Sequence, residues 1–143
     1  MKTIHRSALV RYPAMRMFEL VDDIEAYPEF LPWCRRSRIL RREGEVVEAE
    51  LEVSRGAFQQ TFATRNLNVP GREIRLTLLH GPFSHLEGMW RFQPLREDAS
   101  KISLELSFEM NSRLGALAFG AVFNQICETM VAAFTQRARQ RYG

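Results

Sequence analysis

Hydrophobic and polar residues alternate with a period of two through most of the middle of the chain, between residues 37 and 110. In the stretch 101–110 every even-numbered residue is apolar and every odd-numbered residue is polar, and in 47–53 the odd-numbered residues are apolar while glutamates fill the even positions. A period of two is typical of a half-buried β-strand. Turn residues at 43–44, 70–71, 81–82 and 97–98 divide the region, which therefore predicts six strands in one antiparallel meander.

The residues before this region predict one more strand and two short helices. Residues 3–11 alternate well enough for a strand. Pro13 suits the first turn of a helix that ends at Asp22-Asp23. Residues 24–30 predict a second short helix, interrupted by Pro28.

The residues after the strands predict a long C-terminal helix. Asn111-Ser112 is a candidate N-cap. Beyond it, apolar residues recur at helical spacing: Leu114, Leu117, Ala121, Ile126, Met130, Ala133 and Phe134. They predict a helix of about 28 residues, about 40 Å long at 1.5 Å per residue.

These elements predict an α+β fold in which a curved antiparallel sheet of six to seven strands wraps around the long C-terminal helix. The sheet and the helix each cover the apolar face of the other. Such a sheet is wider than one helix can fill, so the gap either holds a cavity or is filled by bulky aromatic side chains. The pattern alone leaves both alternatives open.

Residues 27–34, YPEFLPWC, combine four large apolar side chains with two prolines. Pro28 and Pro32 fix their own φ angles and keep the preceding residues out of the α region, so this segment is stiff. A stiff apolar segment lies against other apolar groups. It is either a lid on the core or the mouth of a cavity.

Composition favours an ordinary globular domain spanning 1–143. The chain is 45% hydrophobic and 26% charged. Cys34 and Cys127 are too few and too far apart for a disulfide framework, which favours a reducing compartment. The first twenty residues lack the apolar segment of a secretory signal, and the longest apolar run, 114–123, is too short to cross a bilayer. We expect a cytoplasmic protein, with peripheral contact at the inner membrane as the alternative.

Charge is distributed unevenly although the net charge is only +3. Five arginines and no acid lie in 35–42, and five glutamates and no base lie in 43–52. A three-residue loop between them would place Arg38 opposite Glu50 and Arg36 opposite Glu52. One interpretation is therefore a solvated, charge-paired hairpin. The other is a phosphate-binding surface for RNA or anionic lipid headgroups, formed by Arg35, Arg41, Arg42, Arg137 and Arg141.

Two motifs and the terminal helix resemble a known family. The segment YPEFLPWC at 27–34, the segment GPFSHLEGMWRF at 81–92, and Phe134, Arg137, Ala138 and Tyr142 near the end are similar to the coenzyme-Q-binding START-type family. This is a branch of the Bet v 1-like helix-grip superfamily, which also holds polyketide cyclases and the bacterial RatA ribosome-association toxin. The resemblance covers essentially the whole chain.

The resemblance implies a hydrophobic tunnel between the sheet and the terminal helix, holding an isoprenoid quinone such as ubiquinone, or a lipid. Tyr27, Phe30, Leu31 and Trp33 would form its entrance, near the quinone head. The implied walls are Leu51, Phe62, Leu76, Leu78, Trp90 and Phe92 on the sheet, and Phe119, Phe123, Ile126 and Met130 on the helix.

Signals for catalysis are few. His80, His85 and Glu87 do not have the spacing of a known zinc site. No serine elbow, phosphate-binding glycine loop or nucleotide fingerprint occurs in the sequence. The inner faces of the predicted strands offer only Ser37, Thr77 and His80 for proton transfer. We expect no metal, no required cofactor and no catalytic residue, with polyketide cyclase-like activity as a minor alternative.

Two functional hypotheses remain from the sequence. The first is a non-enzymatic protein that binds an isoprenoid quinone or lipid and supports respiratory quinone function. The alternative is a RatA-like toxin that binds the large ribosomal subunit and blocks subunit association. Neither hypothesis includes DNA as a partner.

Overall fold

The computed structural model describes residues 1–112 and 115–143. In chain order its elements are β1 (Lys2–Val10), α1 (Ala14–Asp22), a 3₁₀ helix (Ile24–Glu29), β2 (Cys34–Glu43), β3 (Val46–Arg55), β4 (Phe58–Val69), β5 (Glu73–His80), β6 (Phe83–Arg96), β7 (Ala99–Met110) and α2 (Ala116–Tyr142). The strands form one seven-stranded antiparallel sheet in the order β1-β7-β6-β5-β4-β3-β2. The predicted helix-grip fold is confirmed.

The core lies between the inner face of this sheet and the helices. On β7 the apolar positions are buried and their polar neighbours are exposed or half-buried, as the alternation predicts. Helix α2 lies against β1, β7 and α1, and it buries Phe119, Phe123, Ile126, Cys127, Val131, Phe134 and Ala138. Of the described helices, only α2 is long and apolar enough to cross a membrane. Its buried side chains mark it as the core helix of the domain.

The start of α2 differs from the prediction. Asn111 and Ser112 do not cap the helix, which begins at Ala116 after Gly115 with a φ of +86°. Glycine adopts this left-handed conformation without a Cβ penalty, so it takes the place of a polar cap. Leu117, predicted on the apolar face, is 84% exposed, because it lies about 200° around the helix from buried Phe119. The predicted position of Leu114 lies outside the described residues.

Strand β2 pairs with β3 in the expected register. Arg38 lies opposite Glu50, and Ile39 lies opposite Ala49. The predicted three-residue loop is wrong, because the turn between the strands contains only residues 44 and 45. Leu40 is an extra residue that forms a β-bulge and shifts the register by one. Because of this shift, Arg36 and Arg38 lie opposite Glu52 and Glu50 as expected.

A second irregularity turns His80 away from the core. Between β4 and β5, Ala63 lies opposite His80 and Thr64 lies opposite Leu78, so one residue of β5 is extra. The predictions of His80 and Thr77 on the inner face are therefore wrong, since both side chains are exposed. Only Ser37 faces inward as expected, and its hydroxyl donates to the Ile24 carbonyl at 2.7 Å.

Candidate functional site

An apolar cavity of about 90 Å³ lies between the sheet and the helices. Residues from α1, the 3₁₀ helix, five strands between β3 and β7, and the middle of α2 contribute to its wall. Its lining is Val21, Ile24, Tyr27, Trp33, Ala49, Leu51, Phe62, Thr64, Asn66, Ile74, Leu76, Leu86, Trp90, Leu104, Leu106, Phe123, Ile126, Cys127 and Met130.

Most residues of the implied tunnel reach this cavity, and five do not. The lining includes Tyr27, Trp33, Leu51, Phe62, Leu76, Trp90, Phe123, Ile126 and Met130. Absent from the lining are Phe30, Leu31, Leu78, Phe92 and Phe119. The entrance residues are thus divided, because YPEFLPWC folds as a lid whose two faces contact different parts of the molecule.

Phe30 and Leu31 lie on the other side of this lid. They line a groove against α2 that includes Ala133 and Arg137. The Phe30 ring lies 5.2 Å from the ring of Phe134 and beneath the Arg137 guanidinium at 4.8 Å. This part of the segment therefore fastens the lid to the end of α2.

Aromatic side chains fill much of the space on either side of the cavity. On one side Phe83, Phe108 and Phe119 surround Phe123, with centroid distances of 5.0, 4.9 and 6.0 Å to it. On the other side Phe92 stacks on Trp90 at 6.2 Å. Phe119 and Phe92 are each 1% exposed. They are packing residues because the neighbouring rings separate them from the cavity. Leu78 is half-buried and packs against the core.

A polar pair on β4 interrupts the apolar wall. The Thr64 hydroxyl donates to the Asn66 Oδ1 at 2.8 Å, and both residues line the cavity. Asn66 is only 5% exposed. Sequence reasoning missed this pair, although both residues share the parity of Phe62 and follow it on the same strand face. The pair gives an otherwise apolar space one site for a ligand hydroxyl or carbonyl.

The Tyr27 hydroxyl is already engaged. It donates to the Val21 carbonyl at the end of α1. Burial raises the pKa of Tyr27 well above its usual range, and the nearby Asp22 and Asp23 carboxylates add to this effect. Tyr27 therefore offers a ligand its ring and not its hydroxyl.

Four of the five arginines proposed as phosphate contacts are paired with carboxylates. Arg41 pairs with Glu43 at 2.7 Å, and Arg42 pairs with Asp22 at 3.1 Å. The other two pairs are Arg35 with Glu52 at 3.5 Å and Arg137 with Glu29 at 2.7 Å. Arg141 has no carboxylate partner in residues 1–112 and 115–143. Strand β2 is thus largely charge-paired, and two of its arginines, Arg35 and Arg38, pair across the hairpin with glutamates of β3.

Two of the three histidines lie near carboxylates. His80 Nε2 lies 3.8 Å from a Glu50 oxygen, and His85 Nε2 lies 3.6 Å from a Glu87 oxygen. In the described part of the chain no three His, Cys, Asp or Glu side chains cluster as a metal site would require.

Residues 10–135 match the protein family described as polyketide cyclase/dehydrase and lipid transport. The chain belongs to this family. Within it, the chain is 48% identical over 140 residues to the ribosome association toxin RatA of Pseudomonas aeruginosa, covering 98% of this chain and 97% of that protein.

A second relative is more distant. The chain is 31% identical over 141 residues to the mitochondrial coenzyme Q-binding protein COQ10 homolog B of Xenopus laevis, covering 96% of this chain and 58% of that protein. Among solved structures, the Zhui aromatase/cyclase of a Streptomyces species is similar with a TM-score of 0.86 and 20% identity, over 99% of this chain and 96% of that one. That likeness shows the fold and not the activity.

We expect both cysteines of this family member to resist alkylation. Cys127 lines the cavity, and Cys34 is buried with its thiol donating to the Arg36 carbonyl at 3.5 Å. Burial raises the pKa of Cys34 to about 11 and that of Cys127 further. The thiolate is the reactive form, so at pH 8 iodoacetamide should modify the native protein on the order of a hundredfold more slowly than the urea-unfolded protein. Mass spectrometry follows the reaction. For Cys34 the rate should rise with pH toward 11, and rapid native modification at pH 8 would contradict this assignment.

Proposed function

We propose that this protein binds the large ribosomal subunit in the cytoplasm and hinders its association with the small subunit. The main support is 48% identity to a protein named as a ribosome association toxin, continuous over almost the full length of both chains. The proposed action is binding and not catalysis.

The size of the cavity also supports this function over storage of a quinone. Its volume is about 90 Å³, whereas an engineered apolar cavity that binds benzene measures about 150 Å³. Pockets for drug-sized ligands measure about 300–1,000 Å³. A prenyl chain with a quinone head would enter only if α2 and the sheet moved apart. Surface binding to a ribosomal subunit needs no such change.

Sedimentation tests the proposal directly. The purified protein is mixed with bacterial large subunits, small subunits or both, and separated on sucrose gradients at low and moderate salt. We expect the protein to migrate with the large subunit and to reduce the peak of associated ribosomes. An equimolar α-helical protein of similar pI is the control for adventitious charge binding. Absence of the protein from the large-subunit fractions at every salt concentration would refute the proposal.

A second candidate function is binding of a small apolar ligand, favoured by the Thr64–Asn66 pair in the cavity wall. The similarity to a coenzyme Q-binding protein supports the same class of ligand, an isoprenoid quinone or lipid. Extraction of natively purified protein followed by mass spectrometry tests it. Recovery of a prenylated or acylated compound at near equimolar amount would support it, and repeated recovery of none would count against it.

A further inference from the structure

One end of the sheet brings together segments that are far apart in sequence. Strands β1, β4 and β6 end there, and β5 and β7 begin there. The N-terminus of α1 and the C-terminus of α2 lie at this same end. We call this surface the basic end and define it by Arg11, Arg16, Arg72, Arg96, Arg139 and Arg141.

Tyr142, in the last turn of α2, joins these segments. Its ring lies 5.8 Å from the ring of Tyr12 and 5.1 Å from the Arg16 guanidinium. Its hydroxyl donates to the Arg16 carbonyl at 3.1 Å. The Ser100 hydroxyl, at the start of β7, donates to the Tyr12 carbonyl at 2.9 Å. These contacts place Arg11, Arg16 and Arg141 beside one another in the fold.

The turn between β4 and β5 completes this surface. A Cβ at Gly71 would meet the Met15 Cε of α1 at 3.0 Å. The Arg72 carbonyl accepts a hydrogen bond from the Phe92 amide at 2.8 Å, which fixes the turn beside β6. Arg96 ends β6, next to Ala99 at the start of β7. Six arginines from five different segments therefore share one end of the molecule.

The arginines of the basic end have no carboxylate partner in the described part of the chain, unlike most of those on the outer face of the sheet. All six are exposed, and among the described residues none lies within 4.0 Å of a carboxylate oxygen. Arginines of the outer sheet face, such as Arg38 and Arg65, pair with glutamates of β3. The acids at this end include Glu19, Glu73, Glu97 and Asp98, and none of them lies within 4.0 Å of these six guanidinium groups. Positive charge is thus concentrated where the sequence shows no cationic run.

The two helix termini at the basic end contribute differently to its positive charge. The first turn of α1 has no side-chain cap and no acid, so its free amides face the same end. Arg139 and Arg141 complement the C-terminal dipole of α2. That role accounts for two arginines at a helix end, but it does not account for Arg11, Arg72 and Arg96, which lie on strand ends and a turn.

We propose that the basic end is the surface through which the protein contacts ribosomal RNA. This inference rests on the proposed function and adds which part of the molecule binds. Guanidinium groups bind phosphate in a bidentate manner, so a surface of several unpaired arginines suits the phosphate backbone of RNA. Among the described residues no tryptophan or phenylalanine is exposed at this end, but Leu9, Met15, Val69 and Leu95 are. Exposed aliphatic groups beside cations also suit a membrane surface, so binding to anionic vesicles is measured as well.

The test compares two double variants with the same change in charge. Arg96→Gln with Arg139→Gln alters the basic end. Arg36→Gln with Arg55→Gln alters two exposed arginines elsewhere that also lack a carboxylate partner among the described residues. Binding to intact large subunits is measured by sedimentation between 50 and 300 mM salt, and thermal melting checks that both variants are folded.

We expect the basic-end variant to bind on the order of tenfold more weakly at low salt, with the slope of log K against log salt reduced by about 1.5. The control variant should match the wild type. If the wild type binds and both variants bind equally, the basic end is not the contact surface, although the proposed function stands. If the wild type does not bind large subunits, both proposals fail. Loss of binding to vesicles of 30% phosphatidylglycerol with unchanged ribosome binding would overturn the inference in favour of a membrane surface.

Discussion

Replacing Phe134 with alanine is expected to lower the free energy of unfolding by about 3–5 kcal/mol, the range for a large aromatic residue removed from a core. Phe134 is 0% exposed. Its ring meets the rings of Tyr27 at 5.3 Å, Phe30 at 5.2 Å and Trp90 at 5.3 Å. The side chain therefore joins α2 to the 3₁₀ helix and to β6. Urea unfolding followed by tryptophan fluorescence measures the change.

Leu117→Ala on the same helix is the matched control. It also removes a large apolar side chain, but Leu117 is 84% exposed, so its effect should stay within about 0.5 kcal/mol. A loss below about 1 kcal/mol for Phe134→Ala would mean that the lid and helix do not share one core. Equal losses for both variants would contradict the assignment of buried and exposed faces on α2.

The fold could be predicted because the strand pattern is regular where burial is one-sided. From residue 101 to residue 110 of β7, each inward position is apolar and each outward position is polar or charged, so a shift by one residue would bury Lys101 and Glu105. The terminal helix was predicted from its spacing, but its first residue was not. The sequence favours the polar cap at Asn111-Ser112, whereas the residue before the helix is Gly115, whose φ of +86° suits glycine.

The β-bulges limit what could be predicted of the site. The facing of Arg36 and Arg38 was correct because burial of arginine is unfavourable, yet the bulge at Leu40 that produces this facing has no sequence signal. The bulge between β4 and β5 turns His80 outward, against its parity. Simple alternation placed His80 in the cavity and overlooked Thr64 and Asn66, since it treated the inner face as uniformly apolar.

Charge partners could be predicted only for neighbouring strands. The pairing of Arg38 with Glu50 follows from one hairpin. The pairing of Arg137 with Glu29 spans 108 residues and depends on the position of the lid. The basic end depends on tertiary structure in the same way, since its arginines are dispersed from residue 11 to residue 141. A run of arginines can be found in a sequence, whereas only the folded structure identifies which arginines lack a carboxylate partner.

Replacing Gly88 with valine is expected to lower the free energy of unfolding by about 1–3 kcal/mol through overpacking. Gly88 lies in the middle of β6 between Leu76 on β5 and Leu106 on β7, and both of these line the cavity. A Cβ at this position would overlap the Leu106 Cδ1 and lie 2.9 Å from the Glu105 carbonyl oxygen. The leucine can rotate into the cavity, but the backbone carbonyl cannot easily move.

Met89→Val, at the adjacent position on the outer face, is the control for the general effect of valine on this strand, and urea unfolding compares the two variants. A Gly88→Val protein as stable as the control would show that β6 and β7 separate more easily than their pairing indicates.

The same variant also distinguishes the two proposed functions, because the displaced Leu106 reduces the cavity while the basic end is unchanged. At a temperature where it remains folded, Gly88→Val should bind large subunits as the wild type does and should retain less of any extracted lipid. If the folded variant binds large subunits more weakly than the wild type, ribosome binding depends on the packing around the cavity. That result would contradict the proposal that the cavity and the basic end act independently.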